Sequence, residues 1–142
     1  MNKITSLITG FFTVYLINER GLSTNTIKSY RDTFILYFRF LECKKNIRFN
    51  KIDISIFSFE NVIDFLDYLE TELHCSINTR NQRLAALKSF SSYATRKFPE
   101  YINDFNQILN IKVKKVETKT VPYLTVNGIK LLLSVPSIYS NT

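Results

Sequence analysis

The sequence predicts an all-α protein, a compact bundle of four to five helices followed by an extended basic linker. Three observations carry that expectation. Only three Gly and three Pro occur in 142 residues, too few for a turn-rich β architecture. Apolar residues recur at spacings of three and four along most of the chain, which gathers them on one face of a helix. Charge is also sorted by segment: residues 20–51 carry eight basic and two acidic side chains, 53–75 six acidic and no Lys or Arg, and 76–119 nine basic and three acidic.

The elements follow in order. The first helix is expected over residues 3–19, with Ile4, Leu7, Ile8, Phe11, Phe12, Tyr15 and Leu16 on its apolar face. Gly10 lies inside that pattern and weakens it by about 1 kcal/mol relative to Ala. Gly21 suits the left-handed residue that ends a helix, and Ser23 or Thr24 caps the next. That second helix spans 24–45, with Ile27, Tyr30, Phe34, Tyr37, Phe38 and Leu41 inward. At about 100° per residue, Asn25, Lys28, Asp32 and Arg39 gather on the opposite face with Arg31 at its boundary. Residues 46–57 read as an extended segment over the bundle, because Ile47, Phe49, Ile52, Ile54 and Ile56 alternate.

Ser58 caps a third helix, with Glu60 in its first turn to suit the helix dipole. Its expected stripe is Phe59, Val62, Ile63, Leu66, Leu69 and Leu73. A fourth helix follows Ser76 and runs to about residue 97, with Ile77, Leu84, Leu87, Ala94 and Phe98 inward. Its other face is small and polar: Asn78, Asn81, Ala85, Ser89, Ser92 and Arg96. A fifth, shorter helix over 100–109 carries Tyr101, Ile102, Phe105, Ile108 and Leu109 at helical spacing. By the same spacing Phe11, Tyr30, Phe34, Phe38, Phe59 and Phe90 belong to the core, not to a base-stacking surface. The string IKVKKVETKTV from residue 111 is basic, has little periodicity and ends at Pro122, as a linker does. Thr125 caps a further helix over 126–133, which reads as the start of a second domain.

The net charge of +7 and pI near 9.5 favour a polyanionic partner, the segregation of charge more so than its total. Cys43 and Cys75 stand alone, and only His74 adjoins a cysteine, so no zinc site, disulfide or cofactor motif is expected. The first twenty residues have their apolar run interrupted by Thr5, Ser6, Thr9, Gly10 and Thr13. They read as an amphipathic helix, neither a signal peptide nor a membrane span.

Three stretches resemble a known family. GLSTNTIKSYRDTFILYFRFL, INTRNQRLAALKSFSSYATRK and VPYLTVNGIKLLLSVP are similar, in this order, to the amino-terminal half of tyrosine recombinases, the phage-type integrases and their relatives. In the first, Gly21, Leu22, Ser23, Thr26, Tyr30, Asp32, Phe34, Phe38 and Leu41 fit the family's pattern. In the second, Thr79, Asn81, Arg83, Leu84, Ala86, Leu87, Lys88, Phe90, Tyr93 and Ala94 fit it. The third resembles the linker exit and first helix of the family's catalytic domain. The resemblance implies a SAM-like core-binding domain over residues 1–111, an interdomain linker over 112–122 and the start of a truncated catalytic domain over 123–142.

The family's architecture is a C-shaped clamp around duplex DNA. Its nucleophilic Tyr and the Arg, Lys and His partners of that Tyr belong to the catalytic domain, beyond residue 142. Tyr123 and Tyr139 lack the required context and no His-x-x-Arg is present, so the fragment is not expected to be an enzyme. Implied partners are double-stranded DNA and other copies of the recombinase in a DNA-bound tetramer, with no membrane and no small-molecule cofactor. The implied location is the bacterial cytoplasm or nucleoid.

Candidate DNA contacts follow from charge and position. Lys28, Arg31 and Arg39 suit phosphates or base edges, as they suit a solvated face. Asn25, Thr26 and Ser29, near a helix start, combine short polar side chains with free backbone N–H groups, or serve only as caps. Asn78 and Thr79 share that ambiguity. Arg80 and Arg83 flank the fourth helix's apolar stripe and face either DNA or the acidic third helix, and Lys88 lies further along. Lys112, Lys114, Lys115 and Lys119 on the linker need only reach and charge to meet phosphates. The competing reading is a helical protein-interaction module, self-assembly included.

Overall fold

Three serines start three of the helices. Ser23, Ser58 and Ser76 each hold extended backbone and accept a hydrogen bond from the N–H three residues on, that of Thr26, Asn61 and Thr79 respectively. Each satisfies one of the N–H groups that a helix start leaves without an internal partner. The computed structural model describes residues 3–48, 50 and 53–116. Phe49, Ile52, Lys119, Tyr123, Tyr139 and the helix expected over 126–133 lie outside the described residues.

The order of elements is α1 (Lys3–Gly10), a π-helical continuation (Phe11–Glu19), α2 (Thr24–Lys45), a short 3-10 turn (Ile54–Ile56), α3 (Phe59–Thr71), α4 (Ile77–Lys97), a second 3-10 turn (Pro99–Tyr101) and α5 (Ile102–Leu109). The protein is all-α, and no strand occurs among the described residues. Two expectations are revised here. The first helix changes winding at Phe11, and Gly10 has a packing role: a Cβ there would stand 2.7 Å from the Tyr93 hydroxyl. The segment before α3 is not a simple extended strand. It closes a 3-10 turn in which Asp53 accepts from the backbone and hydroxyl of Ser55, burying Ile54, Ile56 and Phe57.

α4 is the central column, packing on α2, α3, α5 and the π-helical continuation, and α2 packs beside it on α3 and on that continuation. Phe11 stacks on Tyr15 and meets Phe34 and Phe90, while Phe57 lies 4.5 Å from Phe90 and stacks on Tyr37. Each such ring contributes roughly 1.5–3 kcal/mol through burial. The Tyr37 hydroxyl donates to the Ile56 carbonyl, and burial pushes that phenol well above its ordinary range. Because α2 has neighbours on several sides, Thr33 and Phe40 are buried as well, beyond the single face expected.

α3 also differs in detail. Its buried residues are Val62, Phe65, Leu66 and Leu69, whereas Phe59 is 39% exposed. Phe59 lies about 70° round the helix from the centre of that stripe, so helical spacing alone misplaced it. Leu73 falls after the helix has ended and is exposed too. Gly21 is left-handed, as expected, and Asn46 takes the same conformation to close α2. No helix among the described residues is long and apolar enough to cross a membrane.

Candidate nucleic-acid interface

α2 and α4 begin alike. Residues 23–26 read Ser-Thr-Asn-Thr and residues 76–79 read Ser-Ile-Asn-Thr, each with the serine as cap. The threonine fourth in each string bonds the capping serine through its hydroxyl as well, at 3.0 Å for Thr26 and 3.1 Å for Thr79. Both threonines therefore take part in capping, and Asn25 and Asn78 beside them are exposed.

The two helices border a shallow groove of about 320 Å³ lined by Asn25, Thr26, Ser29, Tyr30, Gln82 and Ala85. No carboxylate lines it. Gln82 was not among the sequence candidates; its only signal was its place one turn before Ala85 and Ala86. Lys28 and Arg31 are not in this groove. They turn toward α1 and border an apolar cleft of about 670 Å³ with Ile8, Phe12, Ile17, Leu22 and Ile27. Lys28, Arg31 and Arg39 are exposed, and Lys28 and Arg39 have no ion pair among the described residues. Arg31 approaches only its neighbour Asp32, at 4.0 Å.

The basic residues of α4 behave differently. Arg80 is 6% exposed, and its Nη1 donates to Asn81 Oδ1 at 3.1 Å and to the Lys112 carbonyl at 3.5 Å. Arg83 Nη1 donates to the Ser29 carbonyl and to Thr33 Oγ1, both at 3.1 Å. Neither arginine pairs with the acidic α3, the alternative weighed from sequence. Lys88 is partly buried. That burial, and then the like charge of Arg80, push its ammonium below the usual lysine range.

The chain after α5 is not free of the bundle at first. Ile111 is buried, and the Asn81 side-chain amide grips residue 114 twice, donating to its carbonyl at 2.8 Å and accepting from its N–H at 3.1 Å. Lys114 Nζ meets Glu70 at 2.7 Å, while Lys112 and Lys115 are exposed. Three carboxylates of α3 and its C-cap are matched by lysines: Asp64 with Lys45 at 2.6 Å, Glu70 with Lys114, and the capping Glu72 with Lys44 at 2.8 Å. Such half-exposed pairs add little to stability, because solvent screens them. No group of His, Cys, Asp and Glu able to hold a metal ion occurs among the described residues.

Comparison with known proteins decides the family. The family model for the phage integrase N-terminal SAM-like domain matches residues 10–98, more than half of the chain. The chain belongs to this family. Relatives of this integrase-type domain span most of the chain. A sequence named integrase/recombinase y4rC in Sinorhizobium fredii is 33% identical over 139 residues, 94% of this chain and 40% of its own length. A second from that organism, y4rD, is 25% identical over 134 residues, 94% of this chain and 48% of its own length. The tyrosine recombinase XerC of Caldanaerobacter subterraneus is 28% identical over 136 residues, 87% of this chain and 38% of its own length. The integrase-type chain described here therefore spans less than half the length of these curated relatives. No solved structure matches it at comparable stringency. The match covers α2, α3 and α4 entire, and so includes both helices that border the groove.

Proposed function

We propose that this tyrosine-recombinase N-terminal domain binds double-stranded DNA, setting the starts of α2 and α4 against the duplex as one half of a clamp. The observation that carries the reading is the carboxylate-free groove between the start of α2 and the Gln82–Ala85 stretch of α4, two helices that open on the same Ser-x-Asn-Thr cap. Short polar side chains and helix N-termini suit phosphate oxygens, and Asn and Gln suit adenine edges in the major groove. Lys28, Arg31, Arg39, Lys88, Lys112 and Lys115 supply the cationic surround, with Asn25, Thr26, Ser29, Asn78 and Thr79 nearer the duplex. Lys114 joins them only by leaving Glu70. Arg80 acts chiefly by holding residue 112. Residues 1–111 form the binding unit, 112–122 the connection and 123–142 the beginning of the next domain. Strand cleavage belongs to residues outside this domain, and the setting is the bacterial cytoplasm or nucleoid.

The test is a salt titration of duplex binding by the 142-residue chain. If about six phosphates are neutralised, log affinity falls with log salt at a slope near −5. Replacing Lys28, Arg39 and Lys112 together with Ala flattens the slope by about 2.7. An unchanged slope in that triple variant would refute the assignment of this surface.

A second reading, contact between copies of the recombinase assembled on DNA, is favoured by the cleft between α1 and α2. Ile17 lines that cleft, and Val14 is exposed on the same helical segment, each at 51%. Sedimentation of the chain with and without duplex separates the readings. Association only on DNA supports both, and association without duplex retardation supports the interaction module alone.

A further inference from the structure

We infer that Arg83 is a positioning residue for duplex discrimination: it fixes the spacing of α2 and α4 from beneath the groove and touches no phosphate. This rests on the DNA-binding reading above. The guanidinium reaches from α4 into α2, where Nη1 bridges the Ser29 carbonyl and Thr33 Oγ1, both at 3.1 Å. The Thr33 hydroxyl donates to the same carbonyl at 3.0 Å, closing a triangle of three groups. Thr33 is fully buried, and Arg83 Nε is buried without a partner.

No carboxylate pairs with Arg83 among the described residues. A partly buried arginine bonded to a backbone carbonyl and a hydroxyl, with no carboxylate, holds geometry more than it gains Coulomb energy. Ser29 lines the groove, and Gln82 and Ala85 on either side of Arg83 line its other wall. The link therefore ties one groove wall to the other. Base-edge hydrogen bonds tolerate little displacement, whereas the summed charge that phosphates feel is insensitive to it.

The experiment begins with selection, by the wild-type 142-residue chain, of preferred duplexes from a randomised pool. Binding to the selected duplex and to the unselected pool is then compared, across salt, for the wild type, Arg83→Met and Thr33→Val. Thr33→Val removes one corner of the triangle while keeping shape, so it decides the matter if Arg83→Met does not fold. The expected result is a loss of about tenfold in the selected-to-pool ratio, the size of one base contact, with the salt slope of each variant unchanged.

A slope shallower by about one in Arg83→Met makes Arg83 a phosphate ligand and overturns the inference. An unchanged ratio makes the triangle a fold contact only and overturns it as well. A wild type that binds without preference removes the inference but leaves the duplex reading standing. Absence of duplex binding by the wild type removes both.

Discussion

α2 and α4 start with nearly the same four residues, carry five basic side chains each and stand side by side, yet Lys28, Arg31 and Arg39 of the one and Arg80 and Arg83 of the other do opposite things. On α2 the side chains of Lys28, Arg31 and Arg39 are exposed to solvent. On α4 Arg80 and Arg83 turn inward and hydrogen-bond to carbonyl oxygens of other segments. The lesson is that formal charge along a helix does not say where its field acts. A solvated cation is available to a partner, and a cation bonded to backbone oxygens organises the protein's own walls.

The strongest way to break this comparison is through the core that the two helices share. Phe34 of α2 and Phe90 of α4 stand 5.3 Å apart in an edge-on arrangement, both buried. Phe34→Ala and Phe90→Ala are each expected to cost about 3–5 kcal/mol in denaturant unfolding. A much smaller cost for one of them would mean that its helix is not an equal part of the column.

Next in size are the caps. Ser23→Ala and Ser76→Ala should each lower stability by about 1 kcal/mol, read from the denaturation midpoint at constant m-value. Equal losses would establish that the two starts are equivalent, and a large inequality would sharpen the contrast. The smallest effect belongs to the α2 cations. Lys28→Ala and Arg39→Ala should each change stability by less than about 0.5 kcal/mol. A larger loss in thermal or chemical unfolding would mean that these side chains are engaged within the fold.

How much of this was legible in the sequence depends on what kind of partner each residue has. The serine caps were readable because a cap needs a particular side chain at a particular place, and the bundle followed from apolar spacing. Thr33 and Phe40 were missed because α2 is enclosed on several sides, and a one-face reading of a helix rich in aromatics leaves residues over. The change of winding at Phe11 left no mark, since Phe11 and Tyr15 four residues apart suit an α-helix equally well.

The inward turn of Arg80 and Arg83 had no signal at all. Their acceptors include the main-chain oxygens of Lys112 and Ser29, and every residue type supplies such an oxygen. The groove's serine, threonine and asparagine residues were readable by type and position. Gln82 became a candidate only once the wall it stands on was visible.

The double grip of Asn81 on residue 114 fixes the main chain that leaves α5. A carboxamide that both donates to and accepts from the main chain imitates the neighbouring rung of a ladder. The grip is therefore indifferent to the side chain it clasps and survives substitution at 114, which loses only the Glu70 pair, proline excepted for want of an N–H. Any tilt of the fourth helix is handed to the main chain at residue 114, as a tiller passes the hand's motion to a rudder.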